Sequence, residues 1–373
     1  MSLPPASTPV APTLEELGQA WGYETVDGVP AEFARRVYHW VEMGGAHSEE
    51  LLEAFRAVPP GAQPGTEGWS EYWCGLGDAE WDASTDRLDA LLRYEVGMFT
   101  LPFFAMQPHQ LAAYQRHTQR YVELGASFDP PLQVVRIAVE DEEVTGYLRV
   151  PQAIGPQRAV LLTGGADGWK AHRSLHATQE AFLRAGWVTL IVDLPGTGES
   201  PFPLEPGCQR TLPPILEWLR AREEVDGERV AAHMRSFGGY FAVALAADLN
   251  RDALPAIVGV APPIHHAFHS PPPFLQDRAE WFKTLSLLDQ QALHPNPEQP
   301  DLLIVQSLPD ALCPIEDTYL CTEQGIVMDT LIYAQDFHTA MLNGSEHLAF
   351  SIDWLRKRTD RDSVPGSPRL IAQ

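Results

Sequence analysis

From about residue 128 to residue 358, short apolar runs alternate with segments that have helical spacing. Runs such as RAVLLTGG, WVTLIVDLPG and DLLIVQS are almost continuously apolar, which is typical of parallel strands buried on both faces of a sheet. Because helical segments separate these runs, the pattern predicts a doubly wound α/β domain with a mostly parallel sheet. Two earlier segments, LQVVRIAVE and VTGYLRVP, alternate around EDEE and predict a β-hairpin at the start of this domain.

Before residue 128 the spacing is different, because Trp, Leu and Tyr recur three and four residues apart as on one face of a helix. Residues 264–300 are rich in proline and aromatic residues, which indicates an insertion in the α/β domain. We therefore expect the chain to consist of a disordered N-terminus at 1–12, a helical N-terminal cap domain at 13–127, the α/β domain at 128–358 and a flexible tail at 359–373.

The composition limits the classes of partner. The 373 residues carry a formal net charge of −24, which nucleic acid and anionic membranes would repel. Such a charge fits an enzyme that acts on small molecules. The four cysteines have no C-x-x-C spacing and no histidine at ligand spacing, so we expect neither a disulfide framework nor a metal or cofactor. The N-terminus lacks the features of a signal peptide, and no apolar run approaches the roughly 18–20 residues of a membrane span. The sequence thus predicts a cytoplasmic protein.

The stretch HMRSFGGYFA, residues 233–242, places Ser236 between a predicted strand and a predicted helix. A sharp strand-to-helix turn projects a serine hydroxyl above the sheet, at a helix N-terminus that favours negative charge. Met234 stands where the G-x-S-x-G pattern has its first glycine, which predicts a pocket wall of altered shape. The alternative is that Ser236 only caps the helix, but its context favours a nucleophile.

A serine nucleophile needs a base, and the base needs an orienting carboxylate. In α/β-hydrolases the three follow in the order Ser, Asp or Glu, His. Asp310 lies in the loop after DLLIVQS and is the expected acid, with a turn-forming role as the alternative. His347 precedes the last predicted helix and is the expected base. His338, nearer the preceding strand, is its rival.

Acyl transfer develops an oxyanion, which requires preorganised donors. The expected donors are the backbone N–H groups of Phe237, directly after the nucleophile, and of Ala166, after the glycine pair Gly164–Gly165. The segment DLPGTGES has a G-x-G arrangement but lacks the remaining residues of a phosphate-binding loop, so we interpret it as a structural turn.

Over residues 130–358 the chain resembles the α/β-hydrolases. The resemblance is carried by GGADGW, DLPGTGES, SFGGY, PDALCP and SEHLAFSIDWL. The segment from EVDGERV to SFGGY is similar to the dienelactone-hydrolase and prolyl-oligopeptidase-related branch. With its helical N-terminal region, the chain resembles a narrower group, which contains 2,6-dihydroxypseudooxynicotine hydrolase, the fungal hydrolases that shorten polyketide pigment precursors, and the fermentation–respiration-switch-type proteins.

This resemblance implies an α/β-hydrolase fold with a helical cap over the active-site mouth, a Ser–Asp–His triad and commonly dimeric assembly. It implies hydrolysis of an ester or thioester through an acyl-enzyme. The same triad would serve two alternatives, which are acyl transfer and cleavage of a C–C bond beside a ketone in a β-diketone or polyketide-like substrate. A further alternative is a binding protein of the same fold with a vestigial triad, against which the complete set of Ser, Asp and His argues.

In the C–C hydrolases a carboxylate follows the glycines of the oxyanion loop. Asp167 matches that position in this sequence, as an aspartate where the resemblance implies a glutamate. The resemblance therefore makes Asp167 a candidate for polarising the substrate. The alternative is that Asp167 caps the helix predicted to begin near Trp169.

Overall fold

Strands and helices alternate from residue 133 to residue 358 in the computed structural model of the chain. The structure describes residues 25–26, 29–30, 53–54, 57–62, 66–83, 87–98, 107–166, 168–271, 279–310, 312–334, 336, 338–360 and 370–372. In this part of the chain two short strands and three long helices come first. They are β1 (Thr25–Val26), β2 (Val29–Pro30), α1 (Glu67–Ala83), α2 (Arg87–Met98) and α3 (Pro108–Gly125).

The remaining strands form a single sheet. They are β3 (Gln133–Val139), β4 (Glu142–Arg149), β5 (Gln157–Thr163), β6 (Val188–Val192), β7 (Val225–Arg235), β8 (Ala256–Val260), β9 (Asp301–Ser307), β10 (Asp329–Tyr333) and β11 (Leu370–Ala372). The helices between them are α4 (Arg173–Arg184), α5 (Leu212–Arg220), α6 (Phe237–Asp248), α7 (His266–His269), α8 (Ala279–Lys283), α9 (Ile315–Glu323) and α10 (Gly344–Arg358).

The order of strands across the sheet is β11-β10-β9-β8-β7-β5-β6-β4-β3. The pairs β3–β4 and β4–β6 are antiparallel, and the other neighbours are parallel. This arrangement confirms the predicted α/β-hydrolase fold. From β5 the chain continues to β6 on one side and then to β7 on the other, and ligands of such sheets bind at this reversal, beyond the carboxyl ends of the strands.

Each face of the sheet has its own apolar core. Helices α5 and α6 cover one face, and α4 and α10 cover the other. Adjacent residues of β5 alternate between the cores, since Leu161 belongs to the first and Leu162 to the second. Every residue of β6 and β8 is buried, as the continuous apolar runs predicted. The sheet is therefore a rigid support for the loops at its carboxyl edge.

The structure differs from the sequence prediction in two places. Residues 370–372 lie in the predicted flexible tail but form β11, which pairs in parallel with β10. Helix α10 begins at Gly344, several residues before the apolar segment LAFSIDWL that suggested its start. The predicted disordered N-terminus and most of the helices predicted before residue 58 lie outside the described residues. Among the helices that are described, none combines the length and apolar character needed to cross a membrane.

Candidate active site

Ser236 lies at the turn between β7 and α6. Its backbone angles, φ 53° and ψ −117°, are unfavourable for a residue with a side chain. The turn is held on both sides, because the Ser236 N–H donates to the Val260 carbonyl at 2.7 Å and the Gly239 N–H donates to the Ser236 carbonyl at 2.7 Å. The Ser236 side chain makes no capping hydrogen bond to α6. The strained turn therefore presents the hydroxyl instead of using it as a helix cap.

The two glycines after Phe237 permit the close approach of α6 to neighbouring loops. A Cβ atom at Gly238 would lie 2.6 Å from Thr163 Oγ1 and 2.7 Å from the Gly164 carbonyl oxygen. A Cβ atom at Gly239 would lie 2.8 Å from Pro262 Cα. The helix thus begins in direct contact with the loops that follow β5 and β8.

A chain of hydrogen bonds links Ser236, His338 and Asp310. Ser236 Oγ lies 2.8 Å from His338 Nε2, and His338 Nδ1 lies 2.9 Å from Asp310 Oδ2. These residues follow three parallel strands, β7, β10 and β9, whose carboxyl ends lie at the same edge of the sheet. An Nδ1–H that donates to the carboxylate leaves Nε2 free of a proton, so that it accepts one from the serine hydroxyl. The arrangement is that of a nucleophile, a base and an orienting acid.

The carboxylate of Asp310 is buried and fixed by backbone donors. Its side chain is fully shielded from solvent, and Oδ1 accepts the N–H groups of Leu312 and Cys313 at 3.0 and 2.9 Å. These bonds orient the carboxylate independently of the histidine. They place the second oxygen toward His338 Nδ1.

The structure contradicts the choice of His347 as the base. His347 lies in the first turn of α10 and is buried, because the helix begins at Gly344 and turns this side chain into the protein. His338, the rival candidate, lies in a 3-10 segment (His338–Asn343) that follows β10 closely. A feature of the sequence that could have identified the base is its distance from the strand before it, because His338 follows the apolar run of β10 more closely than His347 does.

The backbone after His338 is strained and held by side chains. Thr339 and Ala340 have φ values of 65° and 50°, in the left-handed region that residues with a Cβ rarely adopt. Asp336 accepts hydrogen bonds from the backbone N–H and the side-chain amide of Asn343 at 3.1 and 2.7 Å. These bonds connect the residues before and at the end of the 3-10 segment. Such strain at a site is maintained only where neighbours determine the conformation.

The loop after β5 lies against the nucleophile. A Cβ atom at Gly165 would lie 2.9 Å from Ser236 Cβ and 3.1 Å from its Oγ, so only glycine allows this approach. The Ala166 carbonyl accepts the indole N–H of Trp169 at 3.0 Å. The residue before Ala166 therefore lies against the nucleophile, and the assignment of the Ala166 and Phe237 N–H groups as oxyanion donors stays a prediction. Asp167, the candidate carboxylate of this loop, lies outside the described residues.

Helix α2 anchors the end of this loop through a buried carboxylate. Glu95 Oε1 accepts the backbone N–H of Arg173 at 2.6 Å, and Oε2 lies 3.1 Å from His172 Nε2. Burial alone would raise the pKa of Glu95, but His172, His117 and the Arg173 N–H together hold that pKa below its usual value. Glu95 is therefore an ionised residue of the helical region that binds the loop of the α/β domain.

Helix α3 anchors the same loop through Tyr114. Its ring packs edge-on against Trp169, with centroids 4.7 Å apart, and its hydroxyl donates to Asp193 Oδ2 at 2.7 Å. The same oxygen lies 2.6 Å from the buried Lys170 Nζ. A Cβ atom at Gly198 would clash with the Asp193 carboxylate, so DLPGTGES is a turn built around that carboxylate. The structure supports the interpretation of this segment as structural.

Comparisons with known proteins show which family and fold the chain shares. The family model described as "Esterase FrsA-like" matches residues 82–280. The chain is 25% identical over 193 residues to "2,6-dihydropseudooxynicotine hydrolase" of Paenarthrobacter nicotinovorans. This match covers 48% of this chain and 51% of the relative. It is 26% identical over 250 residues to "Hydrolase acrC" of Aspergillus aculeatus, which covers 57% of each chain. The chain thus spans about half the length of these curated relatives.

The fold is shared with a solved structure over almost its full length. The crystal structure of 2,6-dihydroxy-pseudo-oxynicotine hydrolase superposes with a TM-score of 0.74 at 16% sequence identity. The match covers 89% of this chain and 99% of the other. The region that is shared includes the sheet and extends into the N-terminal part of the chain.

Proposed function

Since the chain belongs to the FrsA-like esterase family, we propose that it is a serine hydrolase of small carboxylic esters or thioesters that works through an acyl-enzyme. The observation that carries the proposal is the continuous hydrogen-bond chain from Ser236 Oγ through His338 to Asp310. A serine with no adjacent base is a weak nucleophile at neutral pH. The proposal therefore depends on the base as much as on the serine.

In the first half-reaction Ser236 Oγ attacks the carbonyl carbon of the substrate, and its proton passes to His338 Nε2. Asp310 stabilises the resulting imidazolium through Nδ1, and it stays ionised. The negative charge on the former carbonyl oxygen is received by the N–H groups of Phe237 and Ala166. Because these donors are fixed in the backbone, they need little reorganisation when the charge appears.

The tetrahedral intermediate then collapses. The bond to the leaving alcohol or thiol breaks, His338 Nε2 returns the proton to that group, and the acyl group remains on Ser236. In the second half-reaction a water molecule gives a proton to Nε2 and attacks the acyl carbonyl. When this second intermediate collapses, the bond to Ser236 Oγ breaks, His338 Nε2 returns its proton to that oxygen, and the carboxylic acid is released.

Cleavage of a C–C bond beside a ketone is the second candidate and would use the same triad. It is supported by the likeness to the pseudooxynicotine and acrC hydrolases and by Asp167 after the glycines of the loop. If Asp167 polarises a diketone, Asp167→Asn should slow turnover of a β-diketone while leaving aryl ester hydrolysis nearly unchanged. Equal effects on both substrates would speak for a capping role.

Labelling by a fluorophosphonate tests the proposed nucleophile directly. The wild-type protein should be labelled once, and should hydrolyse p-nitrophenyl esters or acyl thioesters, whereas Ser236→Ala should do neither. Ser127→Ala is a matched control, because Ser127 is an exposed serine whose hydroxyl donates to the Leu124 carbonyl. Well-folded wild-type protein that is neither labelled nor active on these esters would refute the proposal and favour the binding-protein alternative.

A further inference from the structure

Two histidines and an aspartate come together in the segment that follows β8, outside the triad. One donor atom from each of His265, His269 and Asp289 lies within 4.8 Å of the others. His269 Nε2 is 2.6 Å from Asp289 Oδ2, and His265 Nδ1 is 3.9 Å from Asp289 Oδ1. The two imidazole rings have centroids 4.2 Å apart. Two imidazoles and a carboxylate are a donor set found at zinc sites.

The two histidines project from a fixed support. They lie one helical turn apart, and the start of α7 is held by Asp317 of α9, whose carboxylate is completely buried. This carboxylate accepts a series of backbone N–H groups, those of Ile264 at 2.8 Å, His265 at 3.1 Å and His266 at 2.6 Å. The position of α7 is therefore set by the α/β domain, and the cluster does not depend on surface side chains alone.

Ser286 links two of the donors. Its Oγ lies 2.8 Å from His265 Nδ1, and it accepts the backbone N–H of Asp289 at 3.1 Å. Ser286 is itself fully buried. This hydrogen bond uses His265 Nδ1, the same nitrogen that lies 3.9 Å from Asp289 Oδ1, so an ion bound at Nδ1 would replace the contact with Ser286. Ser286 therefore holds His265 and Asp289 close to each other.

We propose that His265, His269 and Asp289 bind one divalent transition-metal ion, with Zn²⁺ as the expected occupant and water at the fourth position. Imidazole nitrogen combined with a single carboxylate suits Zn²⁺ and its neighbours better than Mg²⁺ or Ca²⁺, which prefer oxygen donors. The three side chains are 19%, 34% and 46% exposed, so an ion has a route from solvent. Binding requires one adjustment, since two donors of a tetrahedral Zn²⁺ lie about 3.3 Å apart. The His269–Asp289 contact must therefore open.

The ion would connect two parts of the segment at 264–300. Its donors are the residue directly before α7, the last residue of α7 and, 20 residues after the latter, Asp289 beyond α8. Because this donor set is assembled only in the folded chain, binding adds directly to folding stability. The expected role is thus to hold the segment that follows β8 in place. The sequence analysis expected no metal on the ground of the cysteines, and Asp289, 20 residues after His269, is too distant along the chain to form a recognisable spacing with it.

Metal binding is tested with protein that carries no affinity tag. Asp310, Cys313 and His338 also have donor atoms within 4.8 Å of one another, so the measurements use a Cys313→Ala background that removes this second possibility. Titration calorimetry with Zn²⁺ should give one ion per chain, Co²⁺ should give the visible absorption of a tetrahedral complex, and Zn²⁺ should raise the melting temperature. Added to this background, His269→Ala or Asp289→Asn should weaken binding by about a hundredfold or more, because loss of even an outer partner costs about 10–100-fold.

His266→Ala is the matched control, because His266 belongs to the same helix but contacts Asp317 instead of Asp289. It should bind Zn²⁺ like the Cys313→Ala background. If His269→Ala fails to fold, Asp289→Asn, at a partly exposed side chain, carries the test. Absence of binding in the Cys313→Ala protein would overturn the proposal. Binding that is unchanged by His269→Ala and Asp289→Asn would overturn it equally.

Discussion

Replacing His338 or His347 by alanine separates the base from its buried neighbour in α10. His338→Ala removes both the 2.8 Å contact with Ser236 Oγ and the 2.9 Å contact with Asp310 Oδ2, so it breaks the proton path at both ends. Loss of the histidine from a serine triad costs a factor of about 10⁴–10⁶ in kcat. At about 1.36 kcal/mol for each factor of ten, this loss corresponds to about 5–8 kcal/mol of transition-state stabilisation.

His347→Ala should behave in the opposite way. The side chain is only 3% exposed and lies against the interior in the first turn of α10, so its removal should cost about 1–3 kcal/mol of folding stability. Turnover by the folded fraction should stay within a few-fold of the wild type, because this side chain is not part of the hydrogen-bond chain.

The assay is steady-state hydrolysis of a p-nitrophenyl ester, with urea unfolding of each variant in parallel. His338→Ala should unfold cooperatively yet turn over substrate only at the residual rate, and added imidazole should restore part of the activity. A folded His347→Ala protein without activity, alongside an active His338→Ala protein, would refute the triad inferred from the geometry.

Three further changes test the surroundings of the site. Gly165→Ala should lower kcat about a hundredfold, because the added methyl would lie 2.9 Å from the Cβ of the nucleophile. Gly75→Ala is the control and should be active, since a Cβ atom there has no neighbour within 4 Å, and equal activities of the two variants would contradict the close approach. Glu95→Gln should lower the free energy of unfolding, measured with urea, by about 1–3 kcal/mol and should also lower kcat, because it weakens the attachment of the loop that ends at His172. An unchanged free energy of unfolding would show that this charge is not needed. Burial lowers the pKa of His233 from 6.5 to about 3, so below pH 6.5 the unfolded chain binds more protons than the folded one and stability falls as the pH falls. His233→Leu should therefore remove about 2 kcal/mol of the difference in unfolding free energy between pH 8 and pH 5, and an unaltered pH slope would contradict this.

The positions of Ser236 and Asp310 could be predicted because each follows a buried strand whose continuous apolar run is visible in the sequence. The base could not be predicted in the same way, because its choice depended on where α10 begins. A 3-10 segment leads directly into this helix, and its last residue, Asn343, is held by Asp336 through contacts that have no local sequence signature. The apolar spacing of LAFSIDWL marks the part of the helix that packs on the sheet, which is a later point than its first turn.

Met234 shows what the turn around the nucleophile requires in physical terms. Its side chain is completely buried in the core between β7 and α6, so it does not form the wall of an open pocket, as the sequence had suggested. Its partner in register on β8 is Gly259, and a Cβ atom at Gly238 would lie only 3.3 Å from Met234 Cβ. Met234 thus packs close to the glycine that follows Phe237 at the start of α6, and the residue beside it in the sheet is also a glycine. Since cores tolerate redistribution of volume better than a change in total volume, the strained turn at Ser236 depends on the total volume where β7, β8 and α6 meet. A glycine at the first position of the motif is one solution to that requirement, and a methionine between two glycines is another.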